Sequence, residues 1–254
     1  MSRIMNGGQP FYFPGGRRGC LLVHGFTSSP QEVHGLGQHL ASKGYTVLGP
    51  RLFGHATELR DLRRARWLDW LHSTQDGYYM LRGQVDQIFL VGLSLGGALA
   101  LILASQQPVD GIVSMSTPFE LPKTGLLRWI RPILRPLSIV LPQVAKGPVD
   151  FQNKEANRER VDYRARPLRA AIEVEACFLY MQTCLPSVTA PTLLMHSRTD
   201  TFVPPDSMPK IYAELGSEDK RMHWIEESDH VITVDLAWQE VYHTASSFID
   251  ELSQ

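Results

Sequence analysis

The chemistry legible in this chain centres on a serine flanked by glycines. Gln87-Ile-Phe-Leu-Val-Gly-Leu-Ser94-Leu-Gly-Gly-Ala-Leu-Ala100 passes from an apolar strand, through Gly-x-Ser-x-Gly, into an apolar helix. That order sets Ser94 on a tight strand-to-helix turn of the nucleophile-elbow kind, projecting above a sheet. A turn this sharp brings backbones together and forces unusual dihedrals, which side chains at Gly92 or Gly96 would obstruct. A serine hydroxyl is a weak nucleophile, so it needs a histidine to take its proton and an acid to orient that histidine.

Nine histidines compete for the first role. His230, in Glu226-Glu-Ser-Asp-His230-Val-Ile-Thr, follows the last strand-like run, at the carboxyl rim of the sheet, whereas His196 and His223 fall within or at the end of strands. For the acid, Asp200 follows another strand in Ser197-Arg-Thr-Asp200-Thr-Phe-Val-Pro204. Asp206 reads as a helix cap. Asp229 neighbours His230 and diverges from it, which makes it a poor orienter. The pair is therefore Asp200 and His230, and the chain order Ser, Asp, His suits the elbow architecture.

An oxyanion formed on attack needs two N–H donors. Leu95, directly after the nucleophile, supplies one, and Phe26, in the glycine turn after Leu21-Leu-Val-His24-Gly25, supplies the other. His24 reads as a hydrogen-bonded structural residue and His55 as a brace for its own loop. Without Cys-x-x-Cys or His-Glu-x-x-His, and with dispersed histidines, neither a metal nor a cofactor is expected.

The elements that must hold these residues follow from apolar runs. Strands are expected at Gly19 to His24, Tyr45 to Gly49, Gln87 to Leu93, Gly111 to Met115, Pro191 to His196 and Arg221 to Ile225. Helices are expected at Gln31 to Lys43, Trp67 to Arg82, Leu95 to Ser105, Leu168 to Thr183 and Leu236 to Leu252. Short apolar runs alternating with helices indicate an α/β fold whose mostly parallel sheet is covered on both faces. About 70 residues after Thr117 break this rhythm where a crossover needs only a helix. The expected organisation is a core of 1–117 and 190–254 with a cap insertion at 118–189. Within the insertion, Leu121 to Leu141 is apolar but interrupted by Pro132 and Pro136, so short, broken helices are expected.

Length and charge narrow the rest. With 254 residues, one domain with a sizeable core is expected. The chain carries 25 basic and 26 acidic residues, which gives no overall field to recruit nucleic acid and points to a neutral or weakly charged ligand. No basic-then-apolar leader and no run of about 20 apolar residues is present, so a cytoplasmic location is expected. The three cysteines are expected to be reduced, since Cys177 and Cys184 on one helix stand about 10 Å apart. The sequence does not speak to oligomeric state.

Taken together, His24-Gly-Phe-Thr27, Pro50-Arg-Leu-Phe-Gly-His55, Gly92-Leu-Ser-Leu-Gly-Gly97, Asp200-Thr-Phe-Val-Pro204 and His230-Val-Ile-Thr233 resemble the bacterial carboxylesterase and monoacylglycerol lipase branch of the α/β-hydrolases. The resemblance spans nearly the whole chain and is looser over the insertion, where Tyr163 and Pro167 resemble the end of a small helical cap. It implies an α/β-hydrolase fold and hydrolysis of small carboxylic esters with short to medium acyl chains through a serine acyl-enzyme. Ser94, Asp200 and His230 would be catalytic, with Phe26 and Leu95 as oxyanion donors. Two positions depart from the pattern: Asp229 stands where a small residue is frequent, and Ala56 where glycine is common.

Over such a site the apolar cap residues Trp129, Ile130, Ile133 and Leu137 are candidates for the acyl pocket. Arg128, Arg131 and Arg135 fit either a solvated cap face, the favoured reading, or a lid in transient contact with anionic lipid. Trp67 and Trp70 read as packing residues. The same triad also serves amidases, aminopeptidases, thioesterases and carbon–carbon hydrolases, and a non-catalytic receptor retains the fold without turnover.

Overall fold

The computed structural model describes residues 3–120, 143–145 and 152–253. Trp129, Ile130, Ile133 and Leu137, with Arg128, Arg131 and Arg135, lie outside the described residues. The frame is a seven-stranded sheet in the order β1-β3-β2-β4-β5-β8-β9. Its members are β1 (Phe11–Phe13), β2 (Arg18–Val23), β3 (Thr46–Gly49), β4 (Gln87–Leu93), β5 (Gly111–Met115), β8 (Thr192–Ser197) and β9 (Lys220–Ile225). All neighbouring pairs are parallel except β1 with β3. A separate antiparallel pair joins β6 (Gln143–Ala145) to β7 (Ala165–Pro167).

Strand periodicity explains why the central runs are apolar without a break. Side chains alternate between faces, and here both faces are covered. Leu21, Ile88, Leu90, Ile112 and Leu194 pack into one core, while Cys20, Leu22, Phe89, Val91, Val113 and Met195 pack into the other. The first core is closed by α3 (Trp67–Arg82), α4 (Leu95–Ala104), α6 (Leu168–Cys184) and α7 (Ser207–Glu214). The second is closed by α1 (Gln31–Ser42) and α8 (Trp238–Leu252), through Val33, Leu36 and Leu40 against Val241, Phe248 and Ile249. Every residue of α4 from Leu95 to Leu103 is buried, because α6 covers the side that α3 and the sheet leave open. α6 joins that core through Val174, Cys177, Phe178 and Met181. The three cysteines are free and buried.

Two further helices were not visible in the apolar pattern. α2 (Leu59–Arg64) is one charged turn and a half with Leu62 as its buried residue, and α5 (Lys154–Arg158) is capped by the Asn153 side chain, which accepts from Ala156 N. Strand β1 also escapes the reading, being three residues long and paired on one side only. Asp206 stands before α7 as expected but makes no capping bond; its carboxylate lies 2.9 Å from the Lys210 ammonium, one turn on. Among the described residues no helix is long and apolar enough to cross a membrane.

The glycines around Ser94 work by absence of bulk. The strained backbone sits on Ser94 itself, at φ 55° and ψ −116°, and not on Gly92 or Gly96. A Cβ on Gly92 would strike the Gly96 carbonyl, and one on Gly96 would strike the Val23 carbonyl. Gly96→Ala is therefore expected to cost about 3 kcal/mol and to lower Tm by roughly 6–12 °C. In Gly83→Ala, where the new methyl meets nothing closer than 3.9 Å, Tm should stay within about 2 °C of wild type. Equal melting temperatures for the two variants in a thermal scan would contradict this account.

Candidate active site

Ser94 ends β4, Asp200 lies in the loop after β8 and His230 in the loop after β9, so parallel strands deliver all three to the same carboxyl rim. The structure brings them together. His230 Nδ1 lies 2.8 Å from Asp200 Oδ2, and His230 Nε2 lies 3.0 Å from Ser94 Oγ. Since a carboxylate only accepts, Nδ1 carries the proton and donates, which leaves the Nε2 lone pair facing the serine hydroxyl. Each of the three residues is only 7% exposed, so this chain of hydrogen bonds is largely shielded from water.

Asp200 is held by more than its histidine. The N–H groups of Phe202 and Val203 donate to Oδ1 at 2.8 and 2.7 Å. His196 Nε2 lies 3.1 Å from Oδ2. Burial by itself raises the Asp200 carboxyl, but the His230 charge, the His196 and His230 hydrogen bonds and the Val203 N–H together hold it well below the usual carboxylate range. The sequence reading took His196 only as the end of a strand; its position four residues before Asp200 was the signal available.

The two loops are stapled together. Thr199 Oγ1 donates to the Ser228 carbonyl at 2.7 Å, and Ser197 Oγ donates to the same oxygen. The Asp229 carboxylate turns away from His230 and accepts from Thr201 N at 2.8 Å and from Thr201 Oγ1. The residue that departs from the family pattern is thus a clamp between the acid loop and the histidine loop. Asp235, fully buried, accepts from Asp229 N at 2.7 Å and from Asn153 N at 2.7 Å.

On the opposite wall, Gly25, Phe26 and Thr27 border the cleft above Ser94. Among the described residues, no group accepts a hydrogen bond from the N–H of Phe26 or of Leu95. Their loop is fixed from several sides: Gly25 N donates to Glu32 Oε2 at 3.2 Å, and Tyr163 N donates to the Thr27 carbonyl at 2.9 Å. The Tyr163 hydroxyl accepts from Thr57 N and donates to the Gly54 carbonyl.

His24 and His55 take the bracing roles expected of them. Leu52 N donates to His24 Nε2 at 3.2 Å, so Nδ1 carries the proton and donates to the Gly25 carbonyl at 2.9 Å. His55 Nδ1 pairs with the Phe53 carbonyl, and its ring stands edge-on to those of His24 and Trp70. Trp70 is buried and donates to the Phe53 carbonyl, while Trp67 packs on Tyr180; both are packing residues.

Comparison with known proteins shows what the chain is similar to. The family model described as serine aminopeptidase, S33, matches residues 16–237. The chain is similar to a thermostable monoacylglycerol lipase of Bacillus sp. (strain H-257), 31% identical over 241 residues, covering 91% of this chain and 90% of that one. It is likewise similar to a carboxylesterase of Bacillus subtilis (strain 168), 29% identical over 248 residues, with 96% and 97% covered. Among solved structures, one from work on LipS and LipT, two metagenome-derived lipolytic enzymes, superposes with a TM-score of 0.89 at 29% identity, covering 98% of this chain and 100% of that chain.

The buried histidines set an acid limit on stability. Burial pushes the His24 imidazole from 6.5 down to about 4, and that of His55 well below its ordinary value. Below pH 6.5 the unfolded chain takes up these protons while the folded chain does not, so stability falls as pH drops from 6.5 towards 4. For His24 alone the loss is roughly 3 kcal/mol, and His55 adds to it in the same direction. Urea unfolding at about pH 7.5 and about pH 4.5 should register the fall; equal stabilities at the two values would contradict neutral, buried rings.

Proposed function

The chain belongs to the serine aminopeptidase S33 family of α/β-hydrolases, and within it we propose that this protein hydrolyses carboxylic esters of short to medium acyl chain through an acyl-enzyme on Ser94. The observation that carries the proposal is the buried hydrogen-bond chain from Asp200 through His230 to Ser94. Support from relatives is of a second kind: proteins named monoacylglycerol lipase and carboxylesterase are similar over nine-tenths or more of this chain.

In this mechanism Ser94 Oγ attacks the ester carbonyl carbon as its proton passes to His230 Nε2. The new imidazolium is stabilised by Asp200, which stays ionised. The carbonyl oxygen, now an oxyanion, takes hydrogen bonds from the unengaged N–H groups of Phe26 and Leu95. Collapse expels the alcohol, which leaves with the proton from His230. Water then enters and gives a proton to the same nitrogen as its oxygen attacks the acyl carbon; the bond to Ser94 Oγ breaks, that oxygen takes the proton back from His230, and the acid leaves. The donors exist before substrate arrives, so little reorganisation is required at the moment charge develops.

The aminopeptidase reading, which the family description keeps open, is less well supported. A free amine wants carboxylates at its end of the cleft, and among the described lining residues the single carboxylate, Glu32, is already engaged by Gly25 N and Arg160. We propose further that residues 118–189 act as a cap on a core of 1–117 and 190–254, with α6 as its root. The proposed location is the cytoplasm, which suits three free, buried thiols.

Ser94→Ala should abolish turnover of p-nitrophenyl butyrate while leaving Tm unchanged, and Asp200→Asn should lower kcat by about 10⁴, the loss found for the equivalent change in a serine protease. Rapid labelling of the wild type, but not of Ser94→Ala, by a fluorophosphonate would accompany these results. Undiminished turnover in the serine variant would reject the assignment.

A further inference from the structure

The cleft above Ser94, about 430 Å³ in open volume, carries a charge that hydrolysis of a neutral ester does not call for. Its described lining contains two guanidinium groups, Arg160 and Arg166, and the one carboxylate of Glu32. The two arginines differ in their surroundings. Arg160 lies 3.1 Å from Glu32 and 3.3 Å from Asp162, so its charge is matched in place. Arg166 has no such match: among the described residues no carboxylate lies within ion-pairing distance of it, and Asp162 acts on it only through space.

What holds Arg166 is an aromatic face. Its guanidinium carbon sits 4.4 Å from the centroid of the Phe202 ring, which stands 5.0 Å from the ring of His230. The backbone beneath it is fixed by β-pairing, with Arg166 opposite Val144 in the β6–β7 ladder. A stacked, half-buried guanidinium near another cation is poised for a bidentate anion. Burial and the Arg160 charge already lower its pKa, a penalty that a bound anion would relieve.

We propose that Arg166 is a specificity-determining residue that receives a carboxylate or phosphate borne by the substrate away from the scissile bond, so that anionic esters are the preferred class. The inference rests on the ester-hydrolase reading above. It also revises the expectation of a neutral or weakly charged ligand, which came from whole-chain charge and says nothing about one cleft.

The test compares matched substrates. On the acyl side, p-nitrophenyl hexanoate is set against p-nitrophenyl hemiadipate; on the alcohol side, monobutyrylglycerol against monobutyrylglycerol phosphate. In wild type, kcat/KM should favour the anionic member of at least one pair by about tenfold, and raising the ionic strength from about 0.02 M to about 0.5 M should shrink that margin. Arg166→Gln should remove the margin chiefly by raising KM for the anionic member, and Arg166→Lys should restore part of it. Equal kcat/KM within both pairs, or a margin that survives Arg166→Gln, would overturn the proposal. If neutral esters are turned over in a Ser94-dependent way while the margin is absent, only the anion site falls. If no ester is turned over, the reading beneath falls with it.

Discussion

The rim of this sheet is organised around one carboxylate. Asp200 takes donors from two backbone N–H groups and two imidazoles, and each fixes something different. The backbone donors lock its own loop into a turn, His196 ties it to the end of β8, and His230 receives its orientation from it. Buried and surrounded by donors, the carboxylate stays ionised where burial alone would favour its neutral form. A protonated Asp200 would no longer only accept, and the tautomer that leaves His230 Nε2 free for Ser94 would lose its cause. The reactivity of the serine thus depends on a charge balance settled two hydrogen bonds away.

The backbone at and around this centre is strained. Thr27, Ala56, Ser94 and Ser116 all have positive φ without being glycine. Thr27 follows the proposed oxyanion donor Phe26, Ala56 follows the bracing His55, and Ser116 directly follows β5 beside the elbow, its N–H donating to the Met195 carbonyl. Such conformations cost of order 1–3 kcal/mol each and persist only when their surroundings over-determine them. Here those surroundings are two cores on either side of a parallel sheet and a helix, α4, buried on all sides. Core and site are linked in this sense: the packing holds the serine in a conformation it would not otherwise keep.

Much of this arrangement could be read from the residues. The central strands and α3 are long or apolar enough that their periodicity fixed them to within a residue or two, and the positions of Ser94, Asp200 and His230 after three of those strands followed from order alone. Pairing was harder. β1 gains its strand character from β3, where Tyr12 pairs with Leu48, 36 residues away, and three residues of sequence hold no trace of that. Charge clusters were harder still. Glu32, inside the helix expected at Gln31 to Lys43, gives no local sign of burial, yet it is buried because Gly25 N and Arg160 converge on it from both directions in sequence. Asp229 read only as a poor orienter of His230, whereas the fold turns it to Thr201 as a clamp between two loops. In each case the missing information is a long-range contact, which local composition does not encode.

Three long-range contacts share a direction: they run from residues 152–163 into the loops that carry the chemistry. Tyr163 N reaches the Thr27 carbonyl, Arg160 reaches Glu32 and through it Gly25 N, and the Asn153 N–H shares Asp235 with the N–H of Asp229. Two of these ties end on the wall that offers Phe26 N–H and the third on the residue before His230. Each is a hydrogen bond to a buried residue, the last to a carboxylate oxygen that Leu236 N also reaches, and such bonds contribute about 0.5–3 kcal/mol. Any displacement of residues 152–163 would draw on the same bonds that fix the Gly25–Thr27 loop and the loop of His230, so this segment and those loops move, or hold still, together.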